Sequence, residues 1–498
     1  MSQTESISLH ELPSSDSNRY EHATEAGGSD GTSSTLAARQ TEANRKRMFV
    51  LLGASISQLP IWGFSMSYGV FQEYYLGHWT LAGSPDLTGI VGTTSNGVLY
   101  LSMPFLFAAF TRRWARRRQT AAVAGALLAS ISFILSSFST HVWHLVATQG
   151  VLAALGCALV YSPTTLSLGE WFATATAAGK TNRRAVAYGV TLSCKNVVGS
   201  AMPFLARALL ERYGFRVALR VWAAVALGAS LLSIALIPTA PTSLAADISV
   251  SSSVSSADSE HGRQQQQQQQ QQASRRRNRN IPWHFLRHRT FYIYSVAIVL
   301  QSAGYGIPQS YLPTYAREVT RLSQTSATLL LTVFNIPGIL ASSLFGYLSD
   351  NRHFSLSATT VTAISALCSA LATFLLWGLT SQGSLALLLL FSITFGFFAG
   401  GYSATWGGVI NELESEAARW NEAVDPGMLY GLLNGARGIG YVSGGLVSVP
   451  LLKAGSGTSI GDFGYSSTYG PLILFTGLSS VFGGCGLLLK WMSLLRRL

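Results

Sequence analysis

Residues 260–280 read EHGRQQQQQQQQQASRRRNRN, and this polar, low-complexity stretch divides the chain into two halves. It belongs to a longer segment, residues 239–288, that has too few apolar side chains to bury a core of its own. Long apolar stretches lie on both sides of it. A helix that crosses the hydrocarbon core of a bilayer needs about 20 mostly apolar residues. The sequence therefore predicts two sets of membrane-spanning helices joined by a disordered, basic cytosolic linker.

Twelve such stretches are present, six before the linker and six after it. They cover residues 48–76, 88–110, 119–138, 143–167, 184–208, 217–238, 290–313, 325–348, 357–379, 384–408, 428–452 and 470–494. Only 11% of the 498 residues are charged, and these charges cluster between the apolar stretches. We predict an all-α polytopic membrane protein with a disordered cytosolic tail over residues 1–44, six-helix bundles over residues 45–238 and 289–498, and a short cytosolic tail after the last helix.

The distribution of lysine and arginine predicts the orientation in the membrane. Positively charged residues favour short loops on the cytosolic side. If the N-terminus is cytosolic, the inner short loops carry ten lysine and arginine residues and the outer short loops carry five. The tripeptide Arg45-Lys46-Arg47 before the first span and the pair Arg496-Arg497 after the last agree with this arrangement. We expect both termini in the cytosol and the plasma membrane as the location, with an internal organelle membrane as the alternative.

The charge and cysteine patterns argue against several classes of protein. The net charge is +12, but the arginines lie at the ends of apolar stretches and in the linker, so we expect the lipid bilayer and not nucleic acid as the neighbour. Cys157, Cys194, Cys368 and Cys485 all lie inside apolar stretches, without metal-ligand or disulfide spacing. No cluster of catalytic residue types is present. We therefore predict a protein that is not an enzyme, binds no metal or cofactor, and is a monomer.

A short motif follows the eighth span. Residues 346–352 read GYLSDNR. This sequence resembles the signature of major facilitator transporters, in which a glycine, an apolar residue, an aspartate and a basic residue follow one another. The resemblance implies a gating role for Gly346, Asp350 and Arg352, which would allow close helix packing and hold the cytosolic side closed. The matching loop after the second span is degenerate, because Arg112 stands at the position of the aspartate.

Further segments resemble the monocarboxylate-porter family, in particular its fungal branch. These segments are WF at residues 171–172, RRAVAYG at 183–189, YGFRVALR at 213–220, PQSYLPTYA at 308–316, GFFAGG at 396–401 and GLLNGARGIG at 431–440. The resemblance implies a major facilitator fold and transport of a small molecule between the two halves. Ser65, Gly338 and Ser342 stand where proton-coupled members carry a lysine and an Asp-x-x-x-Arg pair. Proton-driven transport of lactate or pyruvate is therefore not expected.

Two cations lie inside predicted spans, where a charge costs several kcal/mol. Lys195 is near the middle of the fifth span, and Arg437 is in the eleventh among glycines. No carboxylate is near the middle of any span, so an anionic substrate would balance this positive charge. The alternative is a structural role, in which each cation pairs across the bundle or bonds to backbone carbonyls. Glu73, late in the first span, is explained by solvation at the membrane interface, with a proton site as the alternative.

Aromatic and polar residues of the central spans complete the predicted substrate pocket. These are Tyr68, Tyr161, Tyr305, Gln309, Asn335, Tyr402 and Trp406, beside Lys195 and Arg437. We predict a secondary transporter that moves a small, monocarboxylate-like organic acid or another anionic metabolite by alternating access. The alternatives are an efflux carrier for a fungal secondary metabolite and a non-transporting sensor with the same fold. The direction of transport and the coupling ion stay open.

Overall fold

The structure is a computed structural model that describes residues 29–78, 81–83, 88–111, 114–177, 184–238, 286–350, 357–420, 422, 424–455 and 463–487. The chain divides into two units, Met1–Met48 and Phe49–Leu498, and the second contains both Lys195 and Arg437. The secondary structure of the described residues is helical apart from one isolated bridge between Ala82 and His141. The segments that contain the predicted linker and residues 1–28 lie outside the described residues.

Twelve membrane spans follow from the helices, and we number them in chain order. Span 1 lies within the helices Ser29–Ile56 and Gln58–Gly77, span 2 is Thr88–Thr111, span 3 is Arg118–Ser136, and span 4 runs from Val142–Leu145 through Val146–Leu152 to Ala153–Ala177. Spans 5 and 6 are the two parts of Arg184–Leu236, span 7 is Arg289–Glu318, span 8 is Gln324–Asp350, and span 9 is Ala358–Leu371 with Ala372–Trp377. Span 10 is Leu385–Gly401, Tyr402–Thr405 and Trp406–Arg419, span 11 is Pro426–Gly455, and span 12 is Gly470–Gly483. The short 3₁₀ helices Ala115–Arg117 and Gly464–Ser466 precede spans 3 and 12.

The count of twelve agrees with the sequence prediction. By length and apolar composition alone, ten of the described helices qualify as membrane spans. One of these ten, Val186–Leu236, contains both span 5 and span 6. This raises the count to eleven. Span 11 is the twelfth, and it does not qualify by composition because its glycines, Asn434 and Arg437 keep its mean hydropathy low. One boundary differs from the prediction: residues 29–44, assigned to a disordered tail, are helical from Ser29 onward.

Gly214 divides spans 5 and 6. Its backbone has φ +76° and ψ 169°, inside what is otherwise an unbroken helical segment. This region of backbone conformation is essentially restricted to glycine, because a Cβ atom would clash with the backbone. The chain can therefore turn back across the membrane there without a loop of several residues.

We expect replacement of Gly214 by alanine to destabilise the protein by about 1–3 kcal/mol, the usual cost of holding a side chain in this region. The apparent melting temperature of the purified protein, measured by fluorescence-detected size-exclusion chromatography, should fall by several degrees. Gly228, in the same helical segment, is the matched control, because a Cβ added there meets no atom within 4 Å. A Gly228→Ala protein as unstable as Gly214→Ala would show that backbone strain is not the cause.

The two halves of the protein meet along two pairs of spans. Span 2 packs along span 11, and span 5 packs along span 8. We call the membrane side at which spans 6 and 7 adjoin the linker the linker face, and the other side the opposite face. Large apolar side chains such as Phe105 and Leu340 are exposed on the outside of the bundle, as expected for a surface that contacts lipid.

Glycines of span 11 allow it to pack closely against span 2. A Cβ added at Gly435 would lie 2.5 Å from Cγ of Pro104, and one added at Gly438 would lie 2.7 Å from the backbone nitrogen of Leu101. Real Cβ atoms do not approach other atoms so closely. Small residues at such positions allow membrane helices to pack closely through van der Waals contact. At Gly435 and Gly438, the seam between spans 2 and 11 therefore has no room for a side chain on span 11.

Polar side chains join spans 5 and 8. The hydroxyl of Ser193 donates to the carbonyl of Ile339 at 2.6 Å, and Nδ2 of Asn196 donates to Oγ of Ser342 at 3.0 Å. Gly338 faces Asn196, where an added Cβ would lie 2.7 Å from its Nδ2. Gly338 and Ser342 thus belong to a contact between the two halves.

Candidate functional site

Two buried cations face the centre of the bundle from different halves. Lys195 is near the middle of span 5, and Arg437 is near the middle of span 11. Their exposed fractions are 7% and 4%, respectively. Lys195 contacts the ring of Trp62 and Arg437 contacts the ring of Tyr100, and the centres of these two rings are 5.2 Å apart. The protein therefore holds two like charges together at mid-membrane, which requires a physical reason.

Lys195 rests on an aromatic ring. Its Nζ lies 4.0 Å from the ring centre of Trp62 in span 1. The ring of Trp62 in turn lies 5.2 Å from that of Tyr100 and 5.9 Å from that of Tyr161, measured between centres. A desolvated cation–π contact contributes about 2 kcal/mol, whereas burial of an ion costs several kcal/mol. Trp62 alone therefore offsets only part of the cost of burying this ammonium.

Four aromatic side chains surround Arg437. Its Cζ is 5.2 to 5.6 Å from four ring centres, those of Tyr100, Tyr305, Trp406 and Tyr441. These rings come from spans 2, 7, 10 and 11. Nε of Arg437 is buried and has no hydrogen-bond partner. The guanidinium is thus held in position by rings and still has hydrogen-bonding capacity to offer.

The carboxylates in the described parts of the spans have other partners. Glu73 pairs with Arg207 and Arg317, Glu170 pairs with Arg118, and Glu412 accepts a hydrogen bond from Tyr294. None of the ion pairs found among the described residues includes Lys195 or Arg437. The positive charge at the centre is therefore not balanced by any carboxylate that the structure describes.

Glu73 connects the two halves near the opposite face. Its carboxylate pairs with Arg207 of span 5 and with Nη1 of Arg317 at the end of span 7, the latter at 2.5 Å. Only 5% of Glu73 is exposed. The prediction that interfacial solvation explains this residue is therefore wrong, because two arginines from distant parts of the chain replace water around the carboxylate.

Tyrosines connect the halves nearer the linker face. The ring of Tyr430 in span 11 stacks on that of Tyr188 in span 5, with centres 5.1 Å apart and planes 6° apart. Its hydroxyl lies 3.3 Å from that of Tyr161 in span 4. A narrow cavity lies beside these rings, with Gln58 and Thr191 among its polar lining residues. The central cations are therefore enclosed by contacts between the halves on both sides.

Comparison with known proteins agrees with this architecture. The family model for the Major Facilitator Superfamily matches residues 50–445. This chain belongs to the major facilitator superfamily. It is therefore a multi-pass membrane protein of a transporter family and not an enzyme.

Named relatives of this major facilitator protein occur in fungi and animals. An MFS-type transporter of Gibberella moniliformis is 26% identical over 341 residues, which cover 68% of this chain and 70% of the relative. Human Monocarboxylate transporter 12 is 27% identical over 57% of this chain and 54% of its own length. The MFS-type transporter pynF of Aspergillus niger is 22% identical over 84% of each protein. The predicted resemblance to monocarboxylate porters and to fungal relatives is confirmed.

The transporter brings together part of the predicted substrate pocket. Lys195 and Arg437 share one aromatic cluster, which contains the predicted residues Tyr305 and Trp406. Tyr161 borders this cluster through its edge contact with Trp62. Gln309 touches it through a long hydrogen bond of 3.5 Å to the hydroxyl of Tyr305.

Three predicted pocket residues of the transporter instead make contacts between helices. The hydroxyl of Tyr68 donates to the backbone carbonyl of Thr88 at the start of span 2. Asn335 of span 8 donates through Nδ2 to the carbonyl of Gly199 in span 5 at 3.2 Å. The hydroxyl of Tyr402 donates to the carbonyl of Gly483 in span 12 at 3.0 Å. Their polar atoms are already occupied by the backbone of neighbouring spans.

Three aromatic residues of the cluster are not among those predicted from the sequence: Trp62, Tyr100 and Tyr441. One signal for Tyr441 is visible in the sequence, because residues four apart on a helix lie on the same face and Arg437 precedes it by four positions. Trp62 and Tyr100 meet the cations only through contacts between spans, so no local pattern marks them.

The motif after span 8 is described in part. Gly346 lies in the last turns of the span, where its carbonyl accepts a hydrogen bond of 3.0 Å from the hydroxyl of Ser349. Asp350 is the last residue of the helix. Arg352 lies outside the described residues.

Proposed function

We propose that this major facilitator protein transports a small organic anion by alternating access, with the anion bound between Lys195 and Arg437. The observation that carries the proposal is the pair of buried cations, which come from different halves and have no described carboxylate as partner. An anion is the simplest group that supplies the missing negative charge. Charge-assisted hydrogen bonds of this kind are among the strongest that a binding site can form.

Contacts on both sides of the cations support alternating access. The bridge from Glu73 to Arg317 joins the halves near the opposite face, and the stack of Tyr430 on Tyr188 joins them near the linker face. We propose that one set of contacts breaks while the other holds, so that the anion reaches one side at a time. Gly346, Asp350 and Arg352 would support closure at the linker face.

The distribution of positive charge supports an orientation for this transport. Arginine and lysine residues are more numerous in the short loops of the linker face than in those of the opposite face. We propose that the linker face is cytosolic, with both termini on that side, in the plasma membrane. The protein would act as a monomer, since each monomer contains both halves of the site.

Uptake into vesicles tests the proposed function. The purified protein is reconstituted into liposomes, and uptake is measured for a panel of labelled mono- and dicarboxylic acids, each with its uncharged amide for comparison. We expect saturable uptake of at least one acid and none of the amides, with empty liposomes as the background. Saturable binding without uptake would instead identify a sensor, and uptake that does not saturate would identify a channel.

A further inference from the structure

We propose that the cargo is a dianion, a molecule with two acid groups, of which one engages Lys195 and the other engages Arg437. This inference rests on the proposed function and adds the number of charges that the cargo carries. A dianion differs from a monocarboxylate, the class of cargo for which the relatives called Monocarboxylate transporter 12 are named.

The balance of charge at the centre of the bundle favours a dianion. In their protonated forms, Lys195 and Arg437 together contribute two positive charges, and the carboxylates described near the spans are engaged elsewhere. A monoanion would leave one cation unbalanced in a medium of low dielectric constant, where the remaining charge stays costly. A dianion balances both.

The two cations also lie on separate halves of the protein. Lys195 belongs to span 5, whereas Arg437 belongs to span 11, and the rings of Trp62 and Tyr100 connect them side by side. Lys195 thus contacts one member of a pair of neighbouring rings and Arg437 contacts the other, and the ring centres are 5.2 Å apart. A molecule with two acid groups could engage both cations at once, whereas one with a single acid group engages one of them at full strength.

The two cations have unequal environments. Arg437 has four rings around it, whereas Lys195 has the ring of Trp62 and the repulsion of Arg437. Lys195 therefore gains more from a second acid group than Arg437 does. Replacing Lys195 should remove the preference for dianions and leave the binding of monoanions.

Isosteric pairs of acids test the number of charges directly. Isophthalate and 3-carbamoylbenzoate have the same shape but differ by one charge, and so do succinate and succinamate. Isothermal titration of the purified transporter with these four compounds gives their dissociation constants. We expect the dianion of at least one pair to bind about tenfold more tightly or better than its monoanion, as one charge-assisted hydrogen bond allows.

Two variants connect the preference to Lys195. In Lys195→Met the two members of the preferred pair should bind within about twofold of each other, because the second acid group has lost its partner. Lys195→Arg should keep the preference, because it keeps the charge. Arg289, exposed at the start of span 7, gives the control variant Arg289→Gln, which should bind all four compounds as the unchanged protein does.

The outcomes separate this inference from the proposed function. If monoanions bind as tightly as the matched dianions in both pairs, the inference is overturned and anion transport still stands. A dianion preference that persists in Lys195→Met also overturns it. If none of the four compounds binds and no acid is taken up by the vesicles, both proposals fail. The measurements on the unchanged protein decide the matter even if Lys195→Met does not fold.

Discussion

Replacing Arg437 with methionine should lower anion uptake into vesicles about 10- to 100-fold, since a charge-assisted hydrogen bond contributes about 1.5–3 kcal/mol to binding. Methionine fills a similar space between the four rings and makes favourable contacts with aromatic side chains. Apolar replacements of buried charged groups are often neutral or stabilising. The heat stability of Arg437→Met should therefore equal or exceed that of the unchanged protein.

Uptake and heat stability, measured together, distinguish a binding role of Arg437 from a structural one. If the guanidinium mainly holds spans 2, 7, 10 and 11 together, the apparent melting temperature of Arg437→Met should fall together with uptake. Arg289→Gln removes a positive charge at an exposed position and serves as the control for net charge. Full uptake by Arg437→Met would remove this residue from the proposed site.

Replacing Glu73 with glutamine should open the opposite face of the transporter. The carboxylate is buried and holds both Arg207 and Arg317, so its loss removes the charge that keeps the two arginines together. The closed arrangement should lose about 1.5–3 kcal/mol, which shifts the balance toward the open one about tenfold or more. Ser448 is buried beside Tyr311, toward the end of span 11 at the opposite face, and is a suitable position for a cysteine reporter.

The measurement is the rate at which a membrane-impermeant thiol reagent labels Ser448→Cys in a background where the four native cysteines are replaced. This rate should rise about tenfold or more when Glu73→Gln is added. Glu211→Gln is the matched control, because Glu211 also pairs with Arg207 but is 55% exposed and lies in the same half. Equal labelling with and without Glu73→Gln, or an equal rise with Glu211→Gln, would contradict closure by Glu73.

The architecture could be predicted from the sequence because a helix that spans a membrane must be long and apolar. Apolar stretches of sufficient length mark the spans, and the family match over residues 50–445 agrees with the fold that they predict. Lys195 and Arg437 could be identified from the sequence for the same reason, because a charged residue within an apolar stretch is visible without knowledge of its contacts. The helical segment from Ser29 escaped prediction because its polar composition resembles that of a disordered tail.

The partners of those charges could not be predicted, because they depend on contacts between distant spans. Glu73 is close to a span end, yet it is paired with arginines 134 and 244 positions away in the sequence. Trp62 and Tyr100 are ordinary aromatic residues of apolar helices until the fold brings them to the cations. Tyr402 looked equally suitable but donates to the backbone of span 12.

The close contact between spans 2 and 11 affects how the two halves can move. Gly435 packs against the ring of Pro104 and Gly438 packs against the backbone of Leu101, so pulling the two spans apart would leave an empty gap and lose van der Waals contacts. Rolling one helix over the other keeps the surfaces together. We therefore expect the pivot of the motion to run near these two glycines, with the smallest displacements there and the largest at the membrane surfaces.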